Sequence, residues 1–445
     1  MKNSTILSSY VKYVSLNIIA MTGLSCYILA DTFFVSNGVG TDGLTALNLA
    51  IPVYSFINGT GLMIGIGAAT KYAVYKAQNK HRAADEVFTH AVGLGAATGV
   101  LFLIAGMLFS ETLSSMLGSD TVTFEMTNTY LKTLMCFSPA FIINNILIAF
   151  IRNDGAPNLS MTAMVLGSLS NIILDYVFIY PCKMGMFGAA FATGLAPVIS
   201  MLVMGEYLGK KKNQFHLVRS RMKFSCLGAV CLLGMASFIT EASSGSVIIV
   251  FNRVILKLSG NTGVAAYGII ANLALVATAV FTGIAQGIQP IVSSNYGQGN
   301  EVNIRRIIRL SVGTSLLFAA LIYLVVAIWA DPVAGIFNGE NNVQLGKMAV
   351  SGLRIYFTGF FFAGLNIVLA SWFGAIERPV PSFMISILRG CIIMIPLLFL
   401  LAAVMGIQGV WMAYPLAEVL TFLGALAVYM HYSRSNKSFI RLDKS

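Results

Sequence analysis

Asn171-Ile172-Ile173-Leu174-Asp175-Tyr176-Val177-Phe178 sets a carboxylate inside an apolar run that extends over residues 159–181. An acid at the centre of a membrane-spanning helix costs about 3 kcal/mol on insertion scales, so its presence asks for a function. Asn171 and Asp175 are four residues apart, which stacks them on one helical face.

The run around Asp175 is one of many. The 445 residues are 57% hydrophobic and only 10% charged, with mean hydropathy +0.80, whereas soluble domains carry about 25% charged residues. This composition implies an all-α polytopic membrane protein. Twelve apolar runs are long enough at 1.5 Å per residue to cross roughly 30 Å of hydrocarbon. They cover residues 14–36, 47–70, 88–109, 129–151, 159–181, 187–208, 224–250, 262–290, 308–329, 350–373, 380–401 and 408–431. Pro52, Pro139, Pro197, Pro290 and Pro415 fall within or at the ends of these spans, where a helix is prone to break or kink. Residues 1–12 show no cleavage pattern, so the first span is read as retained. Six cysteines, without metal-ligand spacing, read as small buried hydrophobes.

Charge gives the orientation. Of the 28 basic residues, 22 fall on one side if the spans alternate, including Lys210-Lys211-Lys212, Arg219, Arg221 and Lys223 between spans 6 and 7. By the positive-inside rule that side is the cytoplasm, with both termini there. The opposite loops carry Asp42, Glu111, Asp120, Glu125, Asp331 and Glu340. The net charge of +11 thus reflects topology and anionic lipid rather than a nucleic-acid partner.

The basic segment is also where the chain divides. A shift of about 220 residues lays Asp42-Gly43-Leu44-Thr45-Ala46 over Thr262-Gly263-Val264-Ala265-Ala266, Gly67 over Gly287 and Glu111 over Asp331; Met184-Gly185 falls on Met405-Gly406, and Pro157 near Pro379. Two six-helix parallel repeats follow, related by an axis along the membrane normal. The expected division is an N-terminal lobe over 1–209, a basic cytoplasmic linker over 210–223, and a C-terminal lobe with a short tail over 224–445.

Depth along the spans brings polar residues together. Asp31 lies about 25–28 Å up span 1, Asn171 about 18 Å and Asp175 about 24 Å up span 5, and Thr193 about 12 Å below the outer surface on span 6. Two carboxylates, an amide oxygen and a hydroxyl suit Na⁺, and a close carboxylate pair is equally suited to holding a proton. Singly, Asn171 and Thr193 also read as structural helix–helix bonds, and Asp31 as a cap. Glu241, in the small polar run Ser237-Phe238-Ile239-Thr240-Glu241-Ala242-Ser243-Ser244-Gly245, is a further candidate for cation coupling. Lys132 and Arg354 enter spans 4 and 10 from the outer side, placed to snorkel or to pair with an acid, whereas Glu206, Arg389 and Glu418 are embedded charges with no evident partner. With 29 Phe, 21 Met and 17 Tyr, an adaptable cavity for organic molecules is within reach of the composition, and Met63, Tyr267, Tyr356 and Phe360 are candidate lining residues by position. A cationic aromatic ligand would gain cation–π contact there.

Several motifs carry a family resemblance: Ala30-Asp31-Thr32; Gln286-Gly287-x-Gln289-Pro290 leading to Gly297-Gln298-Gly299-Asn300; and Asn171-x-x-x-Asp175 followed by Thr193. With twelve spans in two halves, the chain resembles the multidrug and toxic compound extrusion (MATE) transporters, and within them the MepA-like bacterial branch, over essentially its whole length. The resemblance implies a V-shaped central cleft and a monomer without cofactor. It also implies export of cationic, amphipathic drugs by H⁺ or Na⁺ antiport through alternating access, as in antibiotic resistance. It makes Asp31, Asn171, Asp175 and Thr193 the cation site, and matches Glu241 to a seventh-helix acid of the NorM-like branch. That branch's tenth-helix partner acid is absent from Leu353-Arg354-Ile355-Tyr356-Phe357-Thr358, which favours coupling through the first half.

Two rivals come from other classes. A lipid-linked precursor flippase of the related superfamily would need several basic residues in the cavity to neutralise a pyrophosphate. An enzyme would need convergent nucleophile, base or metal ligands, and the four histidines, at 81, 90, 216 and 431, lack ligand spacing.

Overall fold

A run of 74 helical residues, Phe224–Gly297, would be about 110 Å long if straight, more than three times the thickness of a bilayer core. It is interrupted at Gly260, where φ 59 and ψ −157 lie in a region open essentially to glycine alone. A 42-residue run, Met394–Ser435, is interrupted in the same way at Gly406, with φ 58 and ψ −137. The protein is seen in a computed structural model that describes residues 3–337 and 342–435. Glu340 and the basic residues of the tail from Lys437 lie outside the described residues.

In chain order the helices are α1 (Asn3–Gly38), α2 (Thr41–Ala77), α3 (His81–Met116), α4 (Phe124–Cys136), α5 (Ser138–Asn153), α6 (Pro157–Ile179), α7 (Gly185–Gly209), α8 (Phe224–Gly297), α9 (Glu301–Phe337), α10 (Val343–Tyr356), α11 (Phe360–Ala375), α12 (Pro379–Ile387) and α13 (Met394–Ser435). A 3₁₀ turn at Phe357–Gly359 joins α10 to α11, and a π-helical turn at Leu388–Ile392 follows α12. Among the described residues nine helices are long and apolar enough to cross a membrane, or ten if α4 and α5 form one span bent by 47°. The protein is therefore an all-α multi-pass membrane protein.

The prolines behave differently from one another. Pro139 sits in the first turn of α5, just after the bend, where its missing N–H costs nothing. Pro52, Pro197, Pro290 and Pro415 lie inside helices that run on through them. The cysteines correct a sequence expectation: Cys26, Cys136 and Cys182 are exposed rather than buried. In a membrane protein the outward helix faces are as apolar as the core, so a small hydrophobe has no preference for the inside.

Positive-φ backbone recurs along the chain. Gly40 and Gly260, Asn79 and Gly299, Gly155 and Glu377, and Gly185 and Gly406 all have φ between 54° and 98°, each pair about 220 residues apart. The α4–α5 bend at Phe137 and the 3₁₀ turn at Phe357–Gly359 share that spacing.

The helices form two compact units, one of residues 19–242 and the other of residues up to Ile18 together with those from Ser243 onward. In the first, α6 packs on α7, and α2 on α3 and α5. A Cβ on Gly67 would lie 2.0 Å from the Val230 carbonyl oxygen, and one on Gly234 would lie 1.8 Å from that of Met63. Only a residue without a side chain lets α2 and the start of α8 approach so closely. In the second unit, a Cβ on Gly287 would lie 2.8 Å from Val14 Cα of α1, and α11 packs on α9, α12 and α13.

The basic segment between α7 and α8 is strapped to the first unit. Phe215 is fully buried against Tyr72, Phe88 and Phe150. The backbone amides of Gln214, His216, Val218 and Lys223 donate to Asp154 Oδ2, Asp85 Oδ1, Thr89 Oγ1 and His90 Nε2 at 2.9–3.0 Å. Lys223 also pairs with Glu86 at 2.8 Å, a contact that raises its pKa.

Candidate functional site

Asp31 on α1, Asn171 and Asp175 on α6, and Thr193 on α7 belong to the same unit, and all four are buried. One helical turn separates Asn171 from Asp175, so both point to the side of α6 that packs on α7. When the Asn171 amide is oriented to satisfy its neighbours, its nitrogen donates to Asp175 Oδ2 at 3.1 Å and its oxygen accepts from the Thr193 backbone N–H at 3.3 Å. Asp31 and Asp175 are near enough for their charges to interact. Oδ1 of each carboxyl is buried with no hydrogen-bond partner. Two buried carboxyl groups with an unsatisfied oxygen each are costly in a low-dielectric interior. A shared proton or a small cation would relieve that cost.

Around this cluster stand residues that sequence reasoning missed. Tyr130 of α4 lies beside Thr193 and within reach of the charges of both Asp31 and Asp175. Tyr27, one turn before Asp31, shares a hydroxyl–hydroxyl hydrogen bond of 3.1 Å with Tyr54 of α2. One turn beyond Tyr54, Asn58 donates to Glu241 Oε1 at 3.0 Å and accepts from Asn145 of α5 at 2.9 Å. Glu241, expected as a second-half acid, is thus joined to α2 and α5 of the Asp31 unit. The signal was present as polar pairs at i, i+4 in apolar spans, Tyr27 with Asp31 and Tyr54 with Asn58. Which helices face each other was not.

The candidate cavity residues divide between the units. Met63 is half-buried in the unit of Asp31, next to the close approach of Gly234. Tyr267, Tyr356 and Phe360 are buried in the other unit. Tyr267 stacks between Phe251 and Trp411, with centroids at 5.1 and 6.3 Å. Tyr356 stacks on Tyr414 at 4.2 Å and 4°, and Phe360 on Phe281 at 6.0 Å.

The same unit resolves two of the embedded charges. Arg389 donates from Nη2 to Glu418 Oε1 at 2.8 Å and from Nε to the same oxygen at 3.2 Å. Asn366 donates to Glu418 Oε2 at 2.8 Å. Arg354 pairs with Asp331 at 3.0 Å in an exposed position, Glu206 with Lys210, and Lys132 is exposed. Among the described residues no group of three or more His, Cys, Asp or Glu side chains could hold a metal ion.

The family model of MatE matches residues 17–177 and 235–400, together well over half of the chain. The chain belongs to the MatE family. It is thus a secondary transporter rather than an enzyme, of a family that works by ion-coupled antiport. The chain is 25% identical over 406 residues to the multidrug export protein MepA of Staphylococcus aureus strain MSSA476, covering 90% of this chain and 88% of that one. Against MepA of Staphylococcus saprophyticus it is 24% identical over 404 residues with the same coverage. Its fold matches that of a mutant of the Vibrio cholerae MATE transporter VcmN with TM-score 0.90, 19% identity and 98% of each chain covered. It also matches a MOP superfamily transporter of Pyrococcus furiosus with TM-score 0.87 and 22% identity, over 97% of this chain and 99% of that one. The two stretches matched by the MatE model begin about 220 residues apart, as do the paired positive-φ residues.

Proposed function

We propose that this MatE-family transporter exports cationic, amphipathic compounds from a bacterial cell in exchange for H⁺ or Na⁺. Asp31, Asn171, Asp175 and Thr193 are the coupling site in this reading. The observation that carries it is the pair of buried carboxyl oxygens, one each on Asp31 and Asp175, left without a hydrogen-bond partner in the cluster that also holds Asn171 and Thr193. Ion entry neutralises the pair and ion exit restores the repulsion. Each half of the cycle therefore changes the electrostatics of α1, α6 and α7. The hydrogen bond from Asn58 to Glu241 supports a role for Glu241 in the same unit's response. The Staphylococcus relatives are multidrug export proteins, which supports the substrate class and the MepA-like branch.

Twelve spans in two parallel six-span repeats are part of the proposal. Counting the runs interrupted at Gly260 and Gly406 as two spans each, and α4–α5 as one, brings the ten to twelve. The halves 1–209 and 224–445, joined by the strapped basic linker 210–223 and with both termini cytoplasmic, then alternate access to a central cleft in a monomer. Tyr267, Tyr356, Phe360 and Met63 are the proposed substrate-facing residues of that cycle. A flippase for lipid-linked precursors would call for buried cations free to meet a pyrophosphate, and Arg389 is committed to Glu418.

The test is ethidium efflux from vesicles with the proton and sodium gradients imposed separately, comparing wild type with Asp31→Asn and Asp175→Asn. One gradient should drive export, and both variants should lose it. Gradient-driven export by folded variants at the wild-type rate would overturn the coupling assignment.

A further inference from the structure

Four acids are buried among the described residues: Asp31, Asp154, Asp175 and Glu418. Two of them carry a resident cation, Lys76 at 2.7 Å from Asp154 and Arg389 at 2.8 Å from Glu418. The other two, Asp31 and Asp175, make no ion pair and each keep an unpartnered oxygen. Asp154 closes a strap at the end of its unit, accepting from Tyr72, Tyr207 and the Gln214 amide as well. Glu418 lies instead inside a spanning run.

The Glu418 site is built with care for geometry. Arg389 is carried on the π-helical turn Leu388–Ile392, whose extra residue re-aims a side chain that a regular helix would send elsewhere. The turn is pinned on its other side. A Cβ on Gly390 would lie 2.6 Å from Ser243 Oγ, and Cys391 Sγ lies 3.3 Å from the same oxygen. Asn366 of α11 fixes the acid from the opposite direction, donating to Oε2 at 2.8 Å and to the Glu418 carbonyl oxygen at 2.9 Å. The other titratable groups facing the pair are Tyr356 of α10 and Tyr414 of α13, with Tyr267 of α8 beside them. Both carboxylate oxygens are therefore taken by donors of the protein itself.

We infer that Arg389 is a built-in counter-ion, a tethered guanidinium that holds at Glu418 the place a mobile cation takes at Asp31 and Asp175, so that Glu418 stays out of ion exchange. The inference rests on the coupling role proposed for Asp31 and Asp175. A guanidinium keeps its charge at any accessible pH and binds carboxylate through a planar fork. Being covalently attached, it competes with dissolved ions at high effective concentration. An arriving Na⁺ or proton would also leave the guanidinium buried without a partner, which is strongly unfavourable.

Removing the tether should therefore expose a latent cation site. Wild type, Arg389→Gln, Arg389→Lys, Glu418→Gln and the Arg389→Gln/Glu418→Gln double variant, each in lipid nanodiscs, are compared for radioactive sodium bound per chain and for proton uptake in weak buffer. Arg389→Gln should take up one more cation per chain than wild type, the double variant should lose that increment, and Arg389→Lys and Glu418→Gln should count as wild type does. A folded Arg389→Gln with the wild-type count would overturn the proposal. So would a drop of one cation in Glu418→Gln, which tests the idea even if Arg389→Gln fails to fold. Adding Asp31→Asn and Asp175→Asn to Arg389→Gln separates the two readings. A loss of the baseline alone, with the increment kept, supports both. An unchanged baseline overturns the Asp31–Asp175 reading and leaves the Arg389 increment to be judged by itself.

Discussion

Asp175 and Glu418 are both acids buried inside apolar helices, yet one faces another carboxyl group and the other faces a guanidinium. At Glu418 the two oxygens accept from Arg389 and Asn366, so the desolvation penalty is met inside the protein. At Asp31 and Asp175 one oxygen of each is left over, and no donor of the protein meets its share of the penalty. The difference teaches that a buried acid whose oxygens are all answered by donors can hold structure, whereas one with an oxygen left over can take the coupling role proposed above. Burial alone does not separate them: all four buried acids are at most 7% exposed.

The comparison is most easily broken at its uncompensated end. Asp175→Asn and Asp31→Asn should abolish gradient-driven ethidium export, to the level of vesicles lacking the protein. Thermal unfolding in detergent should stay near that of wild type, because each change removes a cost rather than a partner. Stability should fall most at the compensated end. Glu418→Ala strands the Arg389 guanidinium, and breaking one side of a buried pair costs about 3–5 kcal/mol, readable as a large drop in Tm. Asp154→Asn removes the charge opposite Lys76 but keeps an acceptor, so a smaller loss of about 1–3 kcal/mol should appear. Faster proteolysis at Lys210-Lys211-Lys212 should accompany it as the strap loosens. The smallest effect belongs to Tyr54→Phe, which deletes the hydroxyl that meets Tyr27. A loss of about 0.5–1.5 kcal/mol with export retained would mark that contact as structural, whereas lost export at unchanged stability would tie Tyr27 and Tyr54 to the coupling site proposed at Asp31 and Asp175.

Much of the candidate site was legible because it is written at helical spacing. Asn171 and Asp175 are one turn apart, and depth counted along the spans brought Asp31 and Thr193 to the same level. The partners of Glu241, Arg389 and Glu418 were not legible. Asn58 is 183 residues from Glu241, and Arg389 reaches Glu418 across the break at Gly406 from a π-helical turn that no periodicity announces. Nor was Tyr130 legible, because only the packing of α4 on α7 sets it beside Thr193.

Hydropathy, the near-constant internal offset and the presence of acids in apolar runs are properties of the chain read locally, and the sequence by itself determined them: a multi-pass helical protein with charge where charge is expensive. Only the tertiary structure decided which of those charges are answered from within. Compensation depends on what stands within about 3–4 Å of a carboxyl oxygen in a low-dielectric interior, and at Asp154 and Glu418 those neighbours, Lys76, Tyr207, Asn366 and Arg389, come from other elements of the fold.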